Sequence, residues 1–127
     1  MEKNFQRKLI DVANGICLFD CYLTLGGIKT FEDKLYYLRR AISNNIVGPD
    51  GYVNDANLLY SEILGKFSKV IKAYEYKGTD NVIACWDHKH FTIVDKDGNM
   101  VYDPLGEREN PYKNITSYRI VKKYIMF

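Results

Sequence analysis

Residues 85–106 read Cys85-Trp-Asp-His88-Lys-His90-Phe-Thr-Ile-Val-Asp95-Lys-Asp97-Gly98-Asn-Met100-Val-Tyr-Asp103-Pro104-Leu-Gly106. Two alternating apolar runs, residues 91–95 and 99–103, flank Asp97-Gly98, whose members both accept positive φ and so favour a tight hairpin turn. The stretch predicts a β-hairpin. With Asp97 and Gly98 as the loop, Lys96 faces Asn99, Asp95 faces Met100, Val94 faces Val101, Ile93 faces Tyr102 and Thr92 faces Asp103. Opposed residues share a face, as do alternate residues along a strand, so His90 lies diagonally across from Asp103, about 7–8 Å away at the backbone. An imidazole held by a carboxylate through one ring nitrogen has its other nitrogen fixed in tautomer and direction, which is what a general base needs. His88 has the same parity but lies one strand step further from Asp103. The alternative for this His and Asp is an ordinary solvated hairpin surface. Pro104 ends the second strand because it cannot donate to the ladder.

Working outward, the period-two pattern continues upstream through residues 70–76, a turn at 78–80, and 82–86. Downstream, residues 107–114 form a polar loop containing Pro111, and residues 116–127 carry a last strand. The first half is different. Leu18, Cys21, Tyr22 and Leu25 have the spacing of one helix face, stopped by Gly26-Gly27. Asn14 is the expected N-cap, which puts Cys17 in the first turn. There, free N–H groups and the helix dipole lower a thiol's pKa and offer donors to an oxyanion. Cys21, one turn on, reads as packing.

Thr30-Phe31-Glu32-Asp33 opens a second helix by a variant of the capping box. It runs to about residue 44, with Phe31, Leu35, Leu38 and Ile42 buried and Lys34, Arg39 and Arg40 exposed. Gly48-Pro49-Asp50-Gly51 is a turn, in a loop over residues 47–52 placed to border a cleft. Asn54-Asp55 starts a third helix with Leu58, Leu59, Ile63 and Leu64 inward, ending at Gly65. Residues 5–13 form a short strand or helical turn. Helices first and strands after give an α+β class: N-terminal helices packed on a C-terminal antiparallel sheet.

The length of 127 residues suits one domain, residues 1–127. The 18 basic and 16 acidic residues are interspersed and leave a net charge of +2, so no basic block marks a nucleic-acid or lipid footprint. The N-terminal residues carry charge with no long apolar run after them, which predicts no signal peptide, no membrane span and a cytoplasmic location. Three cysteines without secretory context predict free thiols rather than a disulfide framework.

The order of Cys on an early helix, His opening a strand and Asp-Pro ending the next resembles papain-like cysteine peptidases. The resemblance is nearest to the compact bacterial group of bacteriocin-leader-processing (double-glycine peptidase-like) domains and their stand-alone relatives. That group pairs a Cys-Gly-x-x-Ser/Cys-Leu helix start with His-Phe-x-x-Val and a later Asp-Pro. The matching residues here are Cys17-Leu18-Phe19-Asp20-Cys21-Tyr22, His90-Phe91-Thr92-Ile93-Val94 and Tyr102-Asp103-Pro104-Leu105-Gly106. The chain is also similar to uncharacterised plasmid- and prophage-borne bacterial proteins. The resemblance implies a papain-like fold with Cys17 as nucleophile, His90 as base and Asp103 as orienting acid, acting on a peptide or protein substrate without metal or cofactor.

Two positions depart from the family pattern. The glutamine that helps form the oxyanion hole, six residues before the cysteine, is replaced by Asp11, whose charge would repel an oxyanion. Asn14, or Gln6, is the available substitute donor. The glycine after the nucleophile is Leu18.

Three readings follow from the residues. One is a thiol hydrolase cleaving a peptide or isopeptide bond through the Cys17-His90-Asp103 triad. Another is zinc binding by Cys85, His88 and His90 with Cys17 and Cys21, a soft ligand set whose spacing matches no common structural site. The last is a catalytically inactive papain-like module, binding or inhibitory, of phage or plasmid origin, favoured by the missing glutamine. Trp86 either walls the cleft or caps the core.

Overall fold

In the computed structural model, which describes residues 13–48, 53–65, 68–106 and 112–123, helix α1 spans Ala13–Leu25. Cys17, Phe19, Cys21, Tyr22 and Leu23 are all buried, which is how a helix without a polar face packs. The single stripe expected from Leu18, Cys21, Tyr22 and Leu25 is replaced by burial around the helix, with Leu18 and Leu25 only partly covered. The helix stops where Gly26-Gly27 predicts. Gly27 has φ 90°, and the Ile28 N–H donates to the Leu23 carbonyl at 2.9 Å, a left-handed C-cap that suits glycine.

Helix α2 spans Phe31–Ser43 and is capped as expected, with Thr30 Oγ1 accepting from the Asp33 N–H at 3.2 Å. Leu38 and Ala41 are its buried residues. Ile42, expected in the core, is 39% exposed, and Tyr37 packs in its place. Lys34, expected in solvent, is drawn inward by a partner on α1. Helix α3, Ala56–Leu58, is capped by Asp55 and passes at once into a π-helical turn, Leu59–Ile63. The wider turn puts the consecutive residues Leu59 and Tyr60 into the core and leaves Leu58, expected inside, 41% exposed. Residues 49–52 of the expected loop and residues 5–12 lie outside the described residues; Val47 and Val53 pair in an isolated bridge.

Five strands follow: β1 Ser68–Ala73, β2 Val82–Trp86, β3 His90–Val94, β4 Met100–Tyr102 and β5 Ile115–Lys123. They form one antiparallel sheet in the order β1-β5-β2-β3-β4. The α+β arrangement with an antiparallel sheet is as expected. Every residue of β2 is buried because both sheet faces are covered. Ile83 and Ile93 pack with α1, α2 and the π-turn; Val82, Ala84, Trp86 and Val94 pack on the opposite face with Tyr76, Met100, Tyr112 and Tyr118. No helix among the described residues is long and apolar enough to cross a membrane.

The hairpin of β3 and β4 differs from the expected two-residue turn. Asp95 N–H donates to the Asn99 carbonyl, and Gly98 N–H, at φ 84°, donates to the Asp95 carbonyl, so Lys96, Asp97 and Gly98 all belong to the loop. Asp95 Oδ1 explains this choice by accepting from the N–H groups of both Asp97 and Asn99 at 2.9 Å. Val94 then pairs with Met100 rather than Val101, and Val101 is accommodated as a bulge. The bulge restores the register: Ile93 pairs with Tyr102, as the alternation predicts. Asp103 follows just past the end of β4.

Candidate active site

His90 opens β3 directly opposite Trp86. The intervening link turns sharply because Asp87 and His88 both take positive φ, 52° and 61°, a conformation Asp and His tolerate better than most residues. His88 is thereby exposed in the turn and plays no part in the site. The pairing puts His90 on the sheet face of Trp86, while α1 packs on the other. At the strand's start the ring stands between the two layers, in contact with Cys17 from one and Tyr112 from the other.

The three residues singled out in the sequence converge. Cys17 Sγ lies 3.1 Å from His90 Nδ1, and His90 Nε2 lies 2.8 Å from Asp103 Oδ1. Asp103 follows β4 and is buried with its acceptors occupied. Oδ1 also takes the Leu105 N–H at 2.9 Å, and Oδ2 takes the Tyr112 hydroxyl at 3.0 Å. A carboxylate only accepts, so the hydrogen-bond network assigns the ring proton to Nε2 and leaves Nδ1 to accept from the thiol.

The electrostatics of Cys17 differ from the expectation. Helix α1 already runs from Ala13, so Asn14 is not its N-cap and Cys17 sits beyond the turn that has free N–H groups. Burial pushes the thiol up to about 12. The negative charges of Asp103 and Asp20 add to the shift, and backbone hydrogen bonds from Phe91 and Cys17 itself oppose it. Burial thus favours the thiol, placed to donate to Nδ1, over the thiolate. Cys21 is fully buried and its thiol is also raised, first by desolvation and then by Asp20.

A second polar cluster, unread in the sequence, joins α1, α2 and β4 one turn from Cys17. Asp20 Oδ1 pairs with Lys34 Nζ at 2.6 Å, Asp20 Oδ2 accepts from the Tyr102 hydroxyl at 2.9 Å, and Lys34 Nζ donates to the same hydroxyl at 2.9 Å. Burial works against the Lys34 ammonium, but its bonds to Asp20 and Tyr102 outweigh that and hold it protonated. The cluster anchors Tyr102, the residue before Asp103, to the helix that carries Cys17.

Tyr112 was also missed, lying in what read as a polar loop. Its ring stacks on His90 with centroids 4.8 Å apart and on Trp86 at 5.8 Å. Trp86 itself is core, its Nε1–H donating to Thr92 Oγ1 at 2.8 Å. Asn14 lies in the first described turn of α1; its side chain, like Asp11 and Gln6, lies outside the described residues. His88 is exposed in the turn and both nitrogens of His90 are engaged, so the five soft ligands do not converge. Among the described residues no group of three His, Cys, Asp or Glu side chains is arranged to hold a metal ion.

Comparison with known protein families, with curated proteins and with solved structures found no match for this chain.

Proposed function

We propose that this chain is a thiol hydrolase of papain-like fold that cleaves a peptide or isopeptide bond in a peptide or protein substrate. The observation that carries the reading is the unbroken contact line from Cys17 Sγ through both nitrogens of His90 to Asp103, drawn from a helix, a strand start and a strand end. In the reaction, Nδ1 takes the thiol proton as Sγ attacks the carbonyl carbon, and Asp103 holds the imidazolium that results. The tetrahedral adduct collapses to a thioester on Cys17, and the leaving amine receives the proton from Nδ1. His90 then activates water, which hydrolyses the thioester and restores the thiol. Because the thiol is protonated at rest, deprotonation accompanies attack instead of preceding it.

The test is incubation of a proteome-derived peptide library with the protein, followed by mass spectrometry of new N-termini and of acid-quenched adducts on Cys17. The wild type generates termini and a Cys17 acyl adduct; Cys17→Ala generates neither. Identical peptide pools with both proteins would reject the reading.

The inactive-module reading draws on the burial of Cys17, which is 1% exposed and whose thiol is thereby raised, a setting unfavourable to a standing nucleophile. A binding or inhibitory partner isolated with wild type and Cys17→Ala alike, with no cleavage by either, would favour it.

A further inference from the structure

One oxygen of the Asp103 carboxylate and one face of the His90 ring are contacted by a single residue outside the triad. Tyr112 donates its hydroxyl to Asp103 Oδ2 at 3.0 Å while its ring lies against His90 at 4.8 Å and an interplanar angle of 30°. The hydroxyl occupies the oxygen that His90 does not use, so the carboxylate cannot rotate to offer Oδ2 to the imidazole without losing that bond. The same ring also packs on Trp86 at 5.8 Å, so it lies against both side chains that face each other across β2 and β3.

Tyr112 is in turn held by a contact that lies outside the triad. The Asp87 carboxylate accepts from the Lys113 N–H at 3.1 Å through Oδ2 and from the Asn114 N–H at 3.0 Å through Oδ1, and the Asp87 N–H donates to the Asn114 carbonyl at 2.9 Å. The His88 N–H donates to Thr116 Oγ1, which donates to the Cys85 carbonyl. Asp87 therefore fixes the two residues after Tyr112 to the very turn that presents His90. These two N–H bonds hold the Asp87 carboxyl below its ordinary pKa. They also account for a non-glycine residue kept at φ 52°.

We propose that Tyr112 is a positioning residue of the triad, locking the His90 to Asp103 hydrogen bond from the side opposite Cys17, and that Asp87 is the anchor that sets Tyr112 in place. The proposal rests on the thiol-hydrolase reading of Cys17, His90 and Asp103, and it makes the turn before His90 and the segment entering β5 one unit. Neither Tyr112 nor Asp87 touches the reacting atoms.

The experiment is proton NMR of the His90 Nε2–H, with its water-exchange rate measured in wild type, Tyr112→Phe and Asp87→Asn, alongside adduct formation at Cys17. Tyr112→Phe keeps the stacked ring and removes the hydroxyl; Asp87→Asn tolerates the left-handed turn and gives up one of the two N–H bonds. In the wild type a downfield, slowly exchanging resonance is expected. Exchange speeds up about tenfold in Tyr112→Phe, the effect of one hydrogen bond to a charged group, and by a smaller factor in Asp87→Asn, with adduct formation falling in the same order. Absence of the protected resonance in the wild type, or unchanged exchange in both variants, would overturn the proposal. Altered exchange in the variants while the wild type forms no Cys17 adduct would uphold the positioning contact and reject the hydrolase reading instead.

Discussion

Asp20 Oδ1 stands 2.6 Å from Lys34 Nζ, joining the helix that bears Cys17 to the helix that follows it. The same carboxylate raises the thiol of Cys17 three residues earlier, and Lys34 is the cation paired with it. Asp20→Asn removes a negative charge near the sulfur and moves the pH onset of Cys17 alkylation downward. Lys34→Met leaves Asp20 unneutralised and moves it upward. Peptide mass spectrometry of iodoacetamide-treated protein across pH 7–11 reads both shifts. With side chains only 16% and 19% exposed, loss of Lys34 also costs about 1–3 kcal/mol of stability by leaving a nearly buried carboxylate underpaired.

Asp103 is the largest single charge raising Cys17, after burial itself. Asp103→Asn keeps a carbonyl oxygen that can accept from Nε2–H and an amide that can donate to the Tyr112 hydroxyl. It is expected to retain more activity than Asp103→Ala and to lower the alkylation onset of Cys17. On the thiol-hydrolase reading, His90→Ala removes the general base and lowers turnover by roughly 10²–10⁴-fold, the usual worth of such a group. Steady-state rates for the three variants check the order.

Alkaline pH destabilises the fold through its buried thiols. The folded-state pKa of Cys17 is raised from 9.0 to about 12. Between those values the unfolded chain has lost its proton while the folded chain keeps it, so stability falls as pH rises. Cys21 adds to the same limb. Urea unfolding from pH 8 to pH 11 is expected to show a declining midpoint, with a shallower decline in Cys17→Ala. A midpoint independent of pH in the wild type would contradict the raised thiol.

The Tyr60 hydroxyl donates to the Tyr22 carbonyl at 2.7 Å in the core, and the two rings meet edge to face at 5.8 Å. The same carbonyl also accepts from the Gly26 N–H, so it is not orphaned when the hydroxyl goes. Tyr60→Phe should therefore cost only about 1 kcal/mol, measured by urea unfolding. A larger loss would show that the π-helical turn depends on that bond.

Much of the fold was legible where short-range chemistry decides it. The Thr30 cap, the Gly27 stop and the pairing of Ile93 with Tyr102 all follow from hydrogen-bonding groups and φ preferences within a few residues. The turn itself was misread because Asp95 folds its side chain over the loop and makes three residues, not two, the preferred closure. Lys34 was misplaced in solvent because its partners lie 14 and 68 residues away and leave no trace in helical periodicity.

The α+β order, the hairpin, and a thiol, an imidazole and a carboxylate at spacings that allow them to meet are all written in the residues. Hydrogen-bond donors, turn-forming dipeptides and apolar alternation act over a few residues and so are written locally. Only the three-dimensional packing buries Cys17 and raises its thiol, pairs Lys34 with Asp20, and brings Tyr112 against His90 and Asp103. Charge interactions and desolvation depend on what surrounds a group in space, and at Cys17 the facing groups include His90, Phe91 and Asp103, 73 and more positions away.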